Sequence, residues 1–272
     1  MTALSLAGAV AERIKKLVGA GNQALIVFQK EAQNMSDLAS HIPTEMYVGF
    51  LDMTIQIHWN YHAILMFTLW MVVVPFSILV MRFFKPKPSE FGLQSKISYT
   101  NPRWWWFNVH RTGLYFTVFM SLGGVALAMI VSGGFSGSVH SIFGIVTVVM
   151  GCLQVVSALM RGTHGGKYYN NADLNNPDTW RGDQYDNTPH RRMFEAYHKT
   201  TGYFTSFFAV GAVGSGLMQY SMPILTGLMF IIPMAFLASW ILLEFMGRHY
   251  DGYRAVHGYG MEHPRNKARE FL

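Results

Sequence analysis

Residues 103–116 read RWWWFNVHRTGLYF, and after Arg111 no charged residue appears until Arg161. A run of that length without Asp, Glu, Lys or Arg is long enough for two membrane crossings, because one helical crossing takes about 20 apolar residues. Two further charge-free runs flank it in the chain: 53–81, long enough for one span, and 200–243, long enough for two. Turn signals divide the long runs, SGGFSGS at 132–138 and QYSMP at 219–223. Five spans are expected, near 60–82, 107–131, 138–160, 199–219 and 223–246. Backbone in lipid must satisfy its own hydrogen bonds, and runs without two-residue alternation favour helices over barrel strands. The expected fold is all-α and integral to the membrane. Composition agrees, with 51% hydrophobic residues and 13% charged against roughly 25% charged in soluble domains.

The 272-residue chain carries a net charge of +6, but the distribution of its bases argues against nucleic acid. Of 21 lysines and arginines, four precede the first span (Arg13, Lys15, Lys16 and Lys30) and the two turns have none. All the others fall between spans one and two, between three and four, and after five. Alternating spans put those segments on one side, which the positive-inside rule makes the cytoplasmic side, with the N-terminus outside and the C-terminus inside. The expected divisions are an N-terminal outside segment over 1–58, a transmembrane domain over 59–247 and a basic inside tail over 248–272. Val10, Ile14, Leu17, Gly21, Leu25 and Phe28 recur at helical spacing, so residues 3–30 read as an amphipathic helix, and the N-terminus lacks the pattern of a cleaved signal. Trp59 and Trp104–Trp106 read as interfacial anchors. The single cysteine, Cys152, excludes an intrachain disulfide and covalent c-type haem.

Ionisable groups inside spans are costly and mark function. Four of the eleven histidines, His62, His110, His140 and His198, lie about one turn inside the start of four different spans. Alternation sends His62 and His140 to the outside face, and His110 and His198 to the inside face. A histidine pair facing across a helical bundle is the ligand set of a six-coordinate, non-covalent haem b. A flat macrocycle also needs missing side chains on the histidine's face. Gly113 follows His110 by three, Gly144 follows His140 by four and Gly202 follows His198 by four. His58 shares the face of His62, but His62 sits deeper. His41, His164, His190, His249, His257 and His263 lie in polar segments and read as mostly solvated, and zinc-ligand spacing is absent.

The stretches HAILMFTLWMVVVPFSILVMRFF (62–84), WWWFNVHRTG (104–113), VHSIFGIVTVVMGCLQ (139–154) and RRMFEAYHKTTGY (191–203) resemble the cytochrome b561 superfamily. Bacterial members with the b561 domain that is elsewhere fused to DOMON domains are the nearest in character. The resemblance covers about 60–246. It implies a four-helix core holding two b haems, with His62 and His140 on one iron, His110 and His198 on the other, and a fifth helix closing the bundle without ligating. It implies a bacterial cytoplasmic membrane location and electron transport across it. About 50 outside residues are too few for a DOMON-type sandwich of roughly 100, so a redox partner protein or subunit is expected, and oligomers are compatible.

Arg111 and Lys199 directly follow the two inside histidines, as partners for haem propionates or as ordinary inside anchors. The donor is expected to be a small inside reductant, ascorbate-like or a quinol. Two other roles fit the same sequence: a haem b anchor subunit linking a redox enzyme complex to the quinone pool, and a non-redox structural subunit whose histidines bond between helices. The loop over 161–197 is too long for a simple connector.

Overall fold

The computed structural model describes residues 43–93 and 95–269, with positions 12, 19, 23 and 26 of the N-terminal segment. The amphipathic helix expected over 3–30 otherwise lies outside the described residues, as does His41. Two units are present, one holding residues up to 57 and the turn 218–221, the other the remainder.

In the first unit, β1 (Glu45–Val48) and β2 (Met53–Gln56) form an antiparallel hairpin with Tyr47 opposite Thr54. This departs from an all-α chain. Asp52 adopts a positive φ of 47°, tolerated because its short polar side chain bonds locally, and it accepts a 2.6 Å hydrogen bond from the Tyr47 hydroxyl. The Gln56 amide donates to Glu45 Oε1 at 2.6 Å across the ladder.

The second unit is helical. Its long helices are α1 (Trp59–Phe83), α2 (Trp105–Val131), α3 (Val139–Leu159), α4 (Pro189–Gln219) and α5 (Pro223–Phe245), within a few residues of the expected spans except at the start of α4. Four of them, α1, α2, α3 and α5, are long and apolar enough to cross a membrane. The 31-residue α4 is long enough but dilutes its apolar residues with Arg191, Arg192, Glu195, Lys199 and several Gly, Ser and Thr.

Helix α1 is the most buried of the four and α5 the least. Its middle, Thr68–Val73, is π-helical, with the Val74 amide donating to the Leu69 carbonyl. Pro75 follows at once; it has no N–H and its ring crowds the carbonyl four residues back, so a wider turn ahead of it relieves the clash. Phe67, Leu69, Trp70, Met71 and Val74 of α1 form a core with Ala209 of α4 and Leu225 of α5. Trp70 Nε1 donates to Ser121 Oγ of α2 at 3.0 Å, which satisfies the one polar atom of that indole. A Cβ at Gly151 of α3 would come within 3.2 Å of Val118 and 3.5 Å of Trp70, so glycine there permits close packing of α3.

The polar segments after α1, after α3 and after α5 gather at one end of the bundle into a cap. The tail forms α6 (Gly252–His257) and α7 (Pro264–Arg269). Leu93 donates to the Val256 carbonyl at 2.9 Å, and the Tyr253 hydroxyl donates to the Tyr185 carbonyl at 2.9 Å, tying the tail to both loops. Tyr185 and Tyr253, 2% and 1% exposed, form the cap's own core. Three histidines read as solvated are therefore enclosed. His257 and His263 are buried, and His164 packs against Trp104 and Phe107 with ring centres 5.6 and 5.7 Å away. The same packing corrects the tryptophan reading: Trp104 and Trp106 stack at 5.7 Å and are buried, leaving only Trp105 exposed like an interfacial anchor.

Gly258 closes α6 with φ +102°, and a Cβ there would collide with the Glu90 carbonyl. Gly258→Ala is expected to destabilise the cap by about 2 kcal/mol, read as faster proteolysis of 248–269 with the helices intact.

Candidate functional site

Each sequence-derived histidine sits on a different helix, and the bundle brings them together in two pairs. His62 of α1 faces His140 of α3 with ring centres 6.1 Å apart, and His110 of α2 faces His198 of α4 at 6.5 Å. Two imidazoles sharing one metal ion through bonds of roughly 2 Å have centres roughly 6 Å apart, so both gaps fit an iron between the rings. The planes cross at 86° and 72°. Rotation about a shared axis leaves that angle free. His58 is exposed and stacks edge-on with Tyr61, away from these pairs. Among the described residues no cluster of three or more His, Cys, Asp or Glu could hold a metal ion by itself. Two facing ring nitrogens suit a group that brings its own equatorial ligands.

Three of the four rings are oriented by a bond on the far nitrogen. His110 Nδ1 lies 3.3 Å from the Ser77 carbonyl and His140 Nδ1 lies 2.8 Å from the Ala212 carbonyl. A carbonyl only accepts, so Nδ1 carries the proton and Nε2 keeps its lone pair. His198 Nδ1 is 2.8 Å from Ser157 Oγ, whose own proton goes to the Gln154 carbonyl at 2.8 Å, and the Gln154 side-chain nitrogen, with its oxygen accepting from the Gly202 amide, lies 2.8 Å from the same Nδ1.

The glycines divide by role. A Cβ on Gly144 would meet open space and one on Gly202 only Gln154 at 3.9 Å, whereas one on Gly113 would collide with Ser77 Oγ. Gly113 therefore serves the α1–α2 contact. Two glycines that sequence spacing did not single out lie against the His62–His140 pair. A Cβ on Gly216 would stand 2.8 Å from His140 Nδ1, and one on Gly124 would collide with the Met66 methyl and lie 3.9 Å from His62 Nδ1. The small-residue run GAVGSG at 211–216 was the available signal.

The two cations differ as well. Lys199 is 68% exposed and paired with Glu195 at 3.1 Å, and Glu195 also holds Arg191 at 2.9 Å. Arg111 lies 3.2 Å over the Tyr99 ring and donates to Asn108 Oδ1 at 2.9 Å, while its Nε is buried without a partner. It forms no ion pair among the described residues, which leaves it the stronger candidate for an incoming carboxylate.

Gly124 and His110 are fourteen positions apart on α2, about 21 Å of helix, so the two pairs lie near opposite ends of a membrane-sized bundle. In the cap, Arg161 donates to His164 Nε2 at 2.9 Å, and since arginine only donates, this nitrogen is the acceptor. Burial, and then the Arg161 charge, push His164 down to about 3; burial, and then His164, do the same for His257. Both stay neutral in the folded cap but bind protons below about 6.5 once unfolded. The stability they contribute is full above pH 6.5 and is lost as pH falls toward 3. Amide hydrogen exchange over 161–188 and 252–269, corrected for intrinsic rates, is expected to quicken between pH 7.5 and 5.

The chain is 32% identical to a putative ferric-chelate reductase 1 of Xenopus laevis over 103 residues, which are 37% of this chain and 16% of that protein. It is 31% identical to the human ferric-chelate reductase 1 and 32% to that of Bos taurus, each over 102 residues, with the same coverage. The match thus spans about a sixth of those relatives. No family model matches the chain, and no solved structure matches it. The likeness to the ferric-chelate reductases supports the resemblance of the chain to the cytochrome b561 superfamily.

Proposed function

We propose that the chain is a b561-type electron carrier that spans the membrane with five helices and holds two b haems, one on His62 and His140, the other on His110 and His198. The observation that carries this reading is the pair of facing imidazoles near each end of the bundle, 6.1 and 6.5 Å between ring centres, with Nε2 left free in His110 and His140, one ring of each pair. Bound haem b supplies a one-electron iron couple at each end. The chain's own residues set the rest: Ser77 and Ala212 fix the tautomers of His110 and His140, Ser157 orients His198, Gly216 and Gly124 let the outside rings approach their neighbours, and the helices exclude water between the pairs.

The cap is the inside, electron-receiving end, because it gathers most of the Lys and Arg; the opposite end delivers electrons to an outside acceptor. A ferric chelate is the acceptor chemistry that the names of the relatives point to. The donor is a small reductant, ascorbate-like or a quinol. In sealed vesicles oriented with the cap inward, internal ascorbate or quinol is expected to reduce external ferric chelate only when the protein is present. Failure with both donors would overturn the carrier role.

Arg111 holds an inside propionate in this reading, and a cation beside a haem favours the electron-rich state. Arg111→Leu is expected to lower the midpoint potential of the inside haem by roughly 50 mV and leave the outside one unchanged, in a redox titration followed optically.

A further inference from the structure

The cap encloses a cavity of about 650 Å³, within the roughly 300–1,000 Å³ typical of small-molecule sites. It is built entirely from the three polar segments of the helical unit and contains none of the four paired histidines. We propose that it binds a flat aromatic molecule carrying an acidic arm, the chemistry shared by flavin and nicotinamide nucleotides.

Three features of the walls carry this assignment. Tyr168 and Trp180 put partly exposed rings on the lining, and Trp180 is already held in place, its Nε1 donating to the Asp173 carbonyl at 2.7 Å and its ring stacked on His263. A planar ligand gains from such a surface without ordering a flexible side chain. Arg161 and Lys167 supply charge that the protein leaves uncompensated. Arg161 is bonded to a neutral imidazole and Lys167 to the Phe91 carbonyl at 3.3 Å, and neither forms an ion pair among the described residues. Glu90 and Glu262 also line the space, but Glu262 lies 3.3 Å from His263. A guanidinium drawn out of water with no anion beside it is a charge-assisted donor in waiting.

The third feature is a pair of unmet polar atoms. Ser95 Oγ and His257 Nε2 both belong to lining residues, are buried, and have no hydrogen-bond partner, and His257 is 9% exposed. Buried polar groups are seldom left so, each lost bond costing about 1–3 kcal/mol, and a side-chain shift on binding would bring either atom to the polar edge of the bound molecule. The loop itself is shaped for this: Gly162 and Gly165 take φ of +74° and +70°, and a Cβ on Gly165 would collide with the Arg181 carbonyl. Glycine at these two positions lets the loop turn tightly and brings its backbone against Arg181.

The assignment does not depend on the haem reading, because binding is measured on the chain itself. Purified full-length protein in phosphatidylcholine nanodiscs is titrated with FMN, with riboflavin, which lacks the phosphate, and with NADH. FMN or NADH is expected to saturate in the micromolar range, and the tighter of the two identifies the source. If FMN is the ligand, riboflavin binds about tenfold more weakly; Arg161→Gln and Lys167→Gln each weaken nucleotide binding about tenfold and leave riboflavin unaffected, while Trp180→Ala weakens every probe. Lys167→Gln keeps the test valid should Arg161→Gln disturb the cap. No saturation by either nucleotide up to millimolar, or binding indifferent to both cation substitutions, overturns the proposal.

Discussion

Replacing His110 with alanine is expected to halve the haem b content of the purified protein, from two per chain to one. Among the described residues His110 meets no partner ring except His198, 6.5 Å away across the α2–α4 contact, and its Nδ1 is committed to the Ser77 carbonyl. Without it a haem at this end would be held by His198 alone, beside a cavity the size of an imidazole. The outside pair, about 21 Å along α2, shares no residue with it, so effects at the two ends should be independent. Free imidazole added during reconstitution is expected to restore the second haem in part, which a merely misfolded bundle would not allow. Retention of both haems in His110→Ala would remove His110 from the ligand set.

The pairing was legible because two strong constraints acted together. Charge-free length fixed where helices run, and alternation then fixed which histidines share an end. What sequence could not reveal depends on tertiary approach. Gly216 looks like any glycine of a membrane helix until His140 is laid against it, and Gly113, correctly noticed as a missing side chain, turns out to face Ser77. The cap was misread for a related reason. His164, His257 and His263 sit in polar stretches whose local composition signals solvent, and their burial comes from the joining of segments some 90 positions apart. The tryptophans at 104 and 106 have the composition of interfacial anchors and the environment of a core. The hairpin at 45–56 was hidden by its position, a short alternating stretch in front of a span.

Gly216→Val should be nearly as damaging, and at the other end. The His140 ring lies across α4 between Ala212, whose carbonyl takes its Nδ1 proton at 2.8 Å, and Gly216, one turn later, where a Cβ would stand 2.8 Å from Nδ1 and 2.9 Å from Cε1. Valine adds two further methyls to a space that cannot accept one carbon. The imidazole must then leave the Ala212 carbonyl and turn away from His62. Loss of an orienting bond alone weakens metal binding about 10–100-fold, and displacement of the ring adds to it. The expected protein retains the inside haem, loses the outside one, and is still reduced by inside donor but no longer passes electrons to an external ferric chelate. Gly216→Val with two haems and full transfer would mean that His140 is not held where the structure puts it.

The central claim is stoichiometric, and a pyridine haemochrome assay on the purified chain, with protein quantified by amino-acid analysis, tests it most directly. The account predicts two haem b per chain; a protein purified intact from haem-sufficient cells with none would contradict it.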